Sequence, residues 1–146
     1  MKLYIEQSDS NGEVEITIKC GAVIDARLRK LIAQIQSYSF SVAGKKEQSV
    51  YSVPFQDVYY IESVEEKTFL YVQNDVYECD QRLYELEEQL ADTSFVRVAK
   101  SLILNIDKLK SVRPLFNGKW EATMQNEEKI LINRHYVPAF KQKFGI

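Results

Sequence analysis

Histidine, cysteine, glycine and proline are all scarce in this chain, and these shortages exclude several classes of function. His135 is the only histidine, so a cluster of histidine metal ligands cannot form. The five glycines are scattered, which leaves no glycine-rich phosphate-binding loop. No nucleophile-elbow or zinc-protease motif occurs either. We therefore expect no enzyme, no catalytic residue, no cofactor and no bound metal.

Long apolar runs and a signal peptide are also missing. No run approaches the roughly 20 residues that a membrane helix needs. The start of the chain, Met1 to Glu6, has neither the apolar core nor the cleavage site of a signal peptide. The two cysteines, Cys20 and Cys79, end predicted strands without metal-ligand spacing, and we expect both to be buried free thiols. These features predict a cytoplasmic protein.

What the chain does contain is typical of a globular β-rich protein. Its 146 residues suit one domain, alone or with a small appendage. The content is 45% hydrophobic and 27% charged, as in ordinary folded domains. Nine tyrosines and seven phenylalanines favour strands.

Charge is distributed unevenly along the chain. Residues 1–93 hold 9 Lys/Arg against 17 Asp/Glu, a net charge of −8, whereas residues 94–146 hold 10 against 4, a net charge of +6. The total is −2. Such asymmetry indicates an anionic partner for the carboxy-terminal part of the chain.

Residues 1–40 form a predicted appendage. Alternating apolar residues predict a hairpin with strands at 2–6 and 14–20 around the polar turn 8–12. Asp25 is the predicted cap of a helix over 26–37. The apolar stripe of that helix comprises Leu28, Leu31, Ile32 and Ile35, extended by Ile24 and Tyr38. The stripe either packs on the hairpin or contacts a second copy of the chain.

From residue 40 onwards the chain reads as successive strands with short polar turns, which indicates antiparallel pairing. Asp80 is the predicted cap of the one clear helix in this part, and Pro138 begins a tail helix. An Asn117-Gly118 turn predicts a hairpin. Predicted strands cover residues 40–42, 50–53, 57–63, 68–72, 76–79, 95–98, 102–104 and 129–132.

Two polar segments at strand ends are candidate anion-binding sites. Lys100-Ser101 lies between the strands 95–98 and 102–104, with a predicted Asx turn at Asn105. The segment 133–136, Asn-Arg-His-Tyr, follows the strand 129–132 directly. A cation held between buried strands keeps a fixed direction while still reaching solvent.

Several candidate residues also have a simpler structural explanation, and for Lys67 and Thr68 that explanation is a solvated turn. Arg134 could instead pair with Glu127, and His135 could cap the tail helix. Tyr136 and Phe95 are predicted to be fully buried core residues.

The chain resembles LytTR-type DNA-binding domains of bacterial transcription regulators. The runs that carry the resemblance, in the order of the family's motifs, are Asp57–Glu62, Leu83–Leu90, Phe95–Ile106 and Ile130–Tyr136. The similarity covers residues 42–146. It departs from the family at Ala99, where many members have a larger polar residue, and at Asn133, where serine is commoner.

The resemblance implies a mostly β fold with some α: an antiparallel β domain of LytTR type over 41–146, preceded by the hairpin and helix of residues 1–40. It implies a DNA-binding transcription regulator whose strand-end loops enter successive major grooves of paired direct repeats. The implied DNA-binding residues are Lys67, Thr68, Lys100, Ser101, Asn133, Arg134 and His135.

The resemblance also implies the partners. These are double-stranded DNA, a second copy in a homodimer and a small membrane protein that restrains the regulator, with no small-molecule substrate. Without a receiver domain, the chain resembles the family's short stand-alone members.

A competing interpretation makes the chain a protein–protein interaction module. Its acidic amino-terminal part would then dock a partner, and it would bind no specific DNA. A third interpretation combines the two, with a membrane partner on residues 1–40 switching DNA binding.

Overall fold

The computed structural model describes residues 1–10, 12 and 14–146, without the side chains of residues 36–39. Its helices are α1 (Ala26–Ser39), α2 (Leu83–Gln89) and α3 (Val137–Phe144). Its strands are β1 (Ser41–Lys46), β2 (Ser49–Pro54), β3 (Tyr60–Val64), β4 (Lys67–Tyr71), β5 (Val76–Cys79), β6 (Phe95–Ala99), β7 (Leu102–Asn105), β8 (Leu109–Pro114), β9 (Trp120–Met124) and β10 (Lys129–Ile132). All paired strands of the described residues are antiparallel, which confirms the predicted fold class.

The strands form two sheets. A seven-stranded sheet has the order β2-β1-β5-β4-β3-β7-β6, and a three-stranded sheet has the order β10-β9-β8. None of the helices in the described part of the chain is long and apolar enough to cross a membrane.

Two apolar clusters lie on opposite faces of the larger sheet. Leu86 of α2 belongs to the first cluster, and Phe140 of α3 belongs to the second together with residues of the smaller sheet. Strand β7 contributes side chains to both clusters, because Ile103 belongs to the first cluster and Leu104 to the second. Neighbouring residues of a strand point to opposite faces, so the continuous apolar run of β7 is explained by burial on both sides.

A buried polar side chain fixes the end of β7. The carboxamide oxygen of Asn105 accepts hydrogen bonds from the Asp107 backbone N–H (3.1 Å) and the Ser94 hydroxyl (2.8 Å). Its amide nitrogen donates to the Val58 carbonyl at 2.8 Å. The Asx turn predicted at Asn105 is therefore confirmed, and these bonds offset the cost of burying the amide.

Helix α3 is anchored by a lysine. The ammonium group of Lys143 donates to the carbonyl oxygens of Phe95 (2.6 Å) and Ala91 (2.9 Å). Burial lowers the pKa of Lys143 because the charged form loses its hydration. The two carbonyl contacts hold the end of α3 beside β6.

Helix α1 begins where the sequence predicts. Asp25 caps it, since a carboxylate oxygen accepts the Leu28 backbone N–H at 2.8 Å. The helix runs to Ser39, two residues beyond the predicted end. Leu28, Leu31, Ile32 and Ile35 are half-buried, whereas the Tyr38 side chain of the predicted stripe lies outside the described residues.

The predicted amino-terminal hairpin is wrong. None of the described residues before α1 belongs to a strand, and all of them are exposed. Asn11, in the predicted turn, lies outside the described residues. The physical reason is that a lone hairpin is marginal in water unless its apolar face packs on something, and here that face stays in solvent. Cys20 is therefore exposed, against expectation, while Cys79 is buried.

Two further predictions are corrected, namely the cap of α2 and the length of β1. Helix α2 begins at Leu83 with Arg82 at the cap position, so Asp80 does not cap it. Asp80 instead pairs with Lys45 of β1, with 2.9 Å between the ammonium nitrogen and the carboxylate. Strand β1 runs four residues past the predicted end at Val42, since it is paired on both sides by β2 and β5.

Candidate nucleic-acid interface

The turn between β6 and β7 presents Lys100 and Ser101 to solvent. Ala99 and Leu102 pair across the strands, so these two residues alone form the turn, and both are exposed. The Ser101 carbonyl accepts the Ser63 backbone N–H at 2.8 Å, which joins the turn to the end of β3.

The side chain of Arg97 stabilises this turn through hydrogen bonds to its backbone. Its half-buried guanidinium donates to the Ala99 carbonyl at 2.8 Å and to the Lys100 carbonyl, and it pairs with Glu87 of α2. Arg97 thus fixes the backbone under Lys100 through the planar fork of donors that only arginine offers.

The residues that directly follow β10 lie beside the β6–β7 turn. The Asn133 backbone N–H donates to the Val98 carbonyl of β6 at 2.9 Å. A single 3-10 turn over Arg134–Tyr136 follows, closed by the Tyr136 N–H on the Asn133 carbonyl at 2.9 Å, and leads into α3. Arg134 and His135 are exposed on this turn.

The loop between β8 and β9 completes the surface. The Leu115 N–H donates to the Lys119 carbonyl at 2.7 Å, and Asn117 and Gly118 have positive φ values of 66° and 76°. This confirms the Asn-Gly hairpin. A methyl group built on Gly118 would lie 3.0 Å from Cδ of Arg134, so the loop touches the arginine stem.

These three segments enclose an open concavity of about 630 Å³. It is lined by Lys100, Asn117, Lys119, Asn133, Arg134, His135 and Tyr136. Four residues predicted from the sequence therefore come together here, with Ser101 in the adjoining turn. Asn117 and Lys119 are not among the DNA-binding residues predicted from the sequence. A lysine next to an Asn-Gly turn could have indicated them, because such a turn exposes its neighbours to solvent.

The cations of the concavity are unpaired. Among the described residues, the side chains of Lys100, Lys119 and Arg134 have no hydrogen-bond or ion-pair partner. The alternative pairing of Arg134 with Glu127 is wrong, because Glu127 pairs with Lys110 at 2.5 Å. That hydrogen bond lowers the pKa of the Glu127 carboxyl. Elsewhere in the basic part of the chain, Arg113 lies 2.9 Å from Glu121.

The remaining predicted contacts, Lys67 and Thr68, do not line the concavity. Thr68 is only 3% exposed and lies within β4, opposite Ser63 and Cys79. Its burial removes it from any surface that DNA could touch, since successive strand residues alternate between the core and solvent. Lys67 is exposed at the start of β4, beside a turn formed by Glu65 and Glu66.

The two aromatic residues predicted to be fully buried, Phe95 and Tyr136, differ in their exposure to solvent. Phe95 is 2% exposed, as predicted. Tyr136 is half-exposed and lines the concavity, so the prediction that it is a fully buried core residue is wrong. The 3-10 turn rotates it away from the second cluster, which Val137 and Phe140 fill instead.

Comparisons with known proteins agree with this architecture. Residues 48–145 match the family model described as the LytTr DNA-binding domain. The sensory transduction protein LytT of Enterococcus faecalis is 31% identical over 100 residues, which are 68% of this chain and 41% of that protein. The LytT protein of Bacillus anthracis is 29% identical over 146 residues, all of this chain and 54% of that protein.

A solved structure shows the same fold. The LytTr DNA-binding domain of a putative methyl-accepting/DNA response regulator from Bacillus cereus superposes with a TM-score of 0.69 at 26% identity. The match covers 73% of this chain and 97% of that domain. The chain spans about half the length of the curated relatives that it matches.

Proposed function

The chain belongs to the family of LytTr DNA-binding domains, and we propose that it regulates transcription by binding specific DNA sequences. The observation that carries this proposal is the concavity where Lys100, Lys119 and Arg134 meet without ion-pair partners among the described residues. Three unpaired cations on one surface attract the phosphate backbone, and binding releases condensed counterions. We assign the domain no catalytic step.

The cations differ in what they can recognise. Arg134 can donate two parallel hydrogen bonds to O6 and N7 of guanine in the major groove. Lys100 and Lys119 suit phosphate oxygens, which position the protein without reading sequence. Asn133 and His135, beside Arg134, complete the proposed contact set with Ser101. Lys67 is a peripheral contact, because Glu65 and Glu66 make its turn acidic.

Rigid support favours such binding. The backbone bonds of Ser101 with Ser63 and of Asn133 with Val98 fix the turns before DNA arrives. Less conformational entropy is then lost on association, so more of the contact energy appears as affinity.

We further propose that the protein acts in the bacterial cytoplasm as a homodimer on direct repeats. Residues 1–40 would form the appendage and 41–146 the DNA-binding domain. Leu3, Ile5 and Val14 support a contact at the amino terminus, because each is more than 75% exposed. A second copy or a small restraining membrane protein would cover them.

The test compares two triple variants in fluorescence anisotropy titrations. Lys100→Ala/Lys119→Ala/Arg134→Ala removes the unpaired cations, and Lys110→Ala/Arg113→Ala/Lys129→Ala removes the same charge from ion-paired positions. The probe is the duplex that the wild-type protein enriches from a randomised pool. The first variant should lose specific binding and about three units of log–log salt slope, while the second keeps most of both.

Other outcomes would decide against the proposal. Equal losses in both variants would mean that net charge, not this surface, drives association. A wild-type protein that enriches no sequence would favour the interaction module with an acidic docking surface.

A further inference from the structure

Phe116 stands out in the basic part of the chain because its side chain is 92% exposed. Leu131 and Ile146, the other large apolar residues exposed there, reach only 43% and 59%. Burying a phenylalanine side chain stabilises a protein or a complex relative to leaving it in water. An aromatic ring held almost wholly in solvent is therefore available for a partner.

The loop that carries Phe116 fixes it close to the concavity. Phe116 precedes Asn117 and Gly118, and the bond of Leu115 N–H to the Lys119 carbonyl closes the loop around all three. Asn117 and Lys119 line the concavity, and Gly118 touches Arg134. Phe116 therefore lies next in the chain to Asn117 and within three residues of Lys119, both of which line the cationic surface.

The charge of the surroundings indicates what covers the ring. A two-fold symmetric contact with a second copy at this site would bring Lys119 and Arg134 against their own equivalents, and like charges repel. A nucleic acid satisfies both features, since its phosphates attract the cations and its bases offer an apolar group. In the major groove that group is the C5-methyl of thymine.

We propose that Phe116 packs against a thymine methyl group in the major groove, next to the base pairs that face Arg134. This inference rests on the proposed function and adds a base preference to it. Arg134 would select guanine by hydrogen bonds, and Phe116 would select thymine by burial. The β8–β9 loop then becomes a DNA-reading loop in its own right.

A thermodynamic cycle tests the contact. In the duplex that the wild-type protein enriches from a randomised pool, each thymine is replaced singly by deoxyuridine, which removes only the methyl group. Affinity is measured at fixed salt for the wild type and for Phe116→Ala. At one or two positions the replacement should cost the wild type about fourfold, the value of one buried methyl group. It should cost Phe116→Ala nothing further at those positions.

Matched controls separate this contact from general apolar effects. Leu131→Ala removes another exposed apolar side chain from the same part of the chain and should behave as the wild type does in every duplex. Phe116→Leu should keep part of the sensitivity. Circular dichroism checks that the variants are folded.

The failure of this inference is distinct from that of the proposed function. If no sequence is enriched, the function itself fails. If a sequence is enriched but lacks thymine, or if every deoxyuridine costs both proteins equally, only the role of Phe116 is overturned. An effect of Phe116→Ala on oligomeric state without an effect on DNA affinity would overturn it too.

Discussion

The stem of Arg134 lies against the backbone of Gly118, where a methyl group would come within 3.0 Å of Cδ and 3.1 Å of Cγ. The glycine serves two purposes at once. Its φ of 76° is a left-handed conformation that costs other residues energy, and its missing side chain leaves room for the arginine. The β8–β9 loop therefore helps to set the direction of a guanidinium carried by another segment.

Gly118→Ala should weaken DNA binding without removing any polar group. The added methyl group would push the Arg134 stem aside, and the left-handed backbone would cost roughly 1–2 kcal/mol of stability. Chemical denaturation and anisotropy titrations measure the two effects. Gly21→Ala is the control, since nothing lies within 4 Å of the added group. Wild-type affinity in Gly118→Ala would show that the contact does not position Arg134.

Arg134→Ala should weaken the preference for guanine at the base pair that Arg134 faces and leave the fold intact, because the side chain is exposed and makes no ion pair among the described residues. A lost bidentate guanine contact is worth about 1–3 kcal/mol of discrimination. Arg134→Lys should restore affinity for DNA in general but not the discrimination. Unchanged discrimination in Arg134→Ala would remove this residue from the reading surface.

Lys100→Ala should weaken binding to all sequences alike. A lysine on a tight turn suits a phosphate contact, and losing one such contact lowers the log–log salt slope by about one unit. Titrations at several salt concentrations give the slope. A loss confined to one base pair would assign Lys100 to base reading instead.

Arg97→Met should reduce affinity although Arg97 is not proposed to touch DNA. The substitution removes the donors that hold the Ala99 and Lys100 carbonyls, so the turn under Lys100 loosens. Because no phosphate contact is lost directly, the salt slope should stay near the wild-type value. Glu87→Gln, which weakens only the ion pair with α2, should bind nearly as the wild type does. A salt slope reduced by a full unit would mean a direct phosphate contact.

Tyr60 should make the protein sensitive to alkali. Burial, aided by the neighbouring Glu128, raises the pKa of its hydroxyl above the ordinary value. The folded state then retains a proton that the unfolded state releases, so the free energy of unfolding falls as pH rises above about 10. Tyr60→Phe should make this fall shallower in denaturation curves recorded between pH 9 and about 11. An unchanged slope would contradict the assignment.

Local sequence signals were sufficient for much of the interface. The β6–β7 turn, the Asx turn at Asn105 and the Asn117-Gly118 hairpin are each specified within a few residues, and all three are confirmed. Their joining into one surface could not be read from the sequence. The bond between Asn133 and Val98 brings the exit of β10 to β6, and the contact of Gly118 with Arg134 brings the hairpin to the same exit. No local pattern relates these segments.

The wrong predictions concern residues whose structure depends on tertiary contacts, either present or missing, and not on local preference alone. Asp80 has the chemistry of a helix cap, but β1 brings Lys45 within ion-pair distance. Thr68 was expected at the exposed start of the predicted strand 68–72, yet β4 begins one residue earlier, at Lys67, and Thr68 is buried within it. Residues 2–6 alternate as strands do but find no partner strand among the described residues.

Strand β7 places Ile103 in one apolar cluster and Leu104 in the other, and it directly follows the turn that carries Lys100. Neither cluster can come apart without disturbing this strand. Hydrogen exchange at the amides of β7 should accordingly require cooperative opening of the whole molecule, whereas the amides of α1 should exchange by local fraying. The turn that carries Lys100 is thus joined to a strand that we expect to open only when the whole molecule unfolds. On mild heating, α1 should unfold at a lower temperature than the one at which DNA recognition is lost.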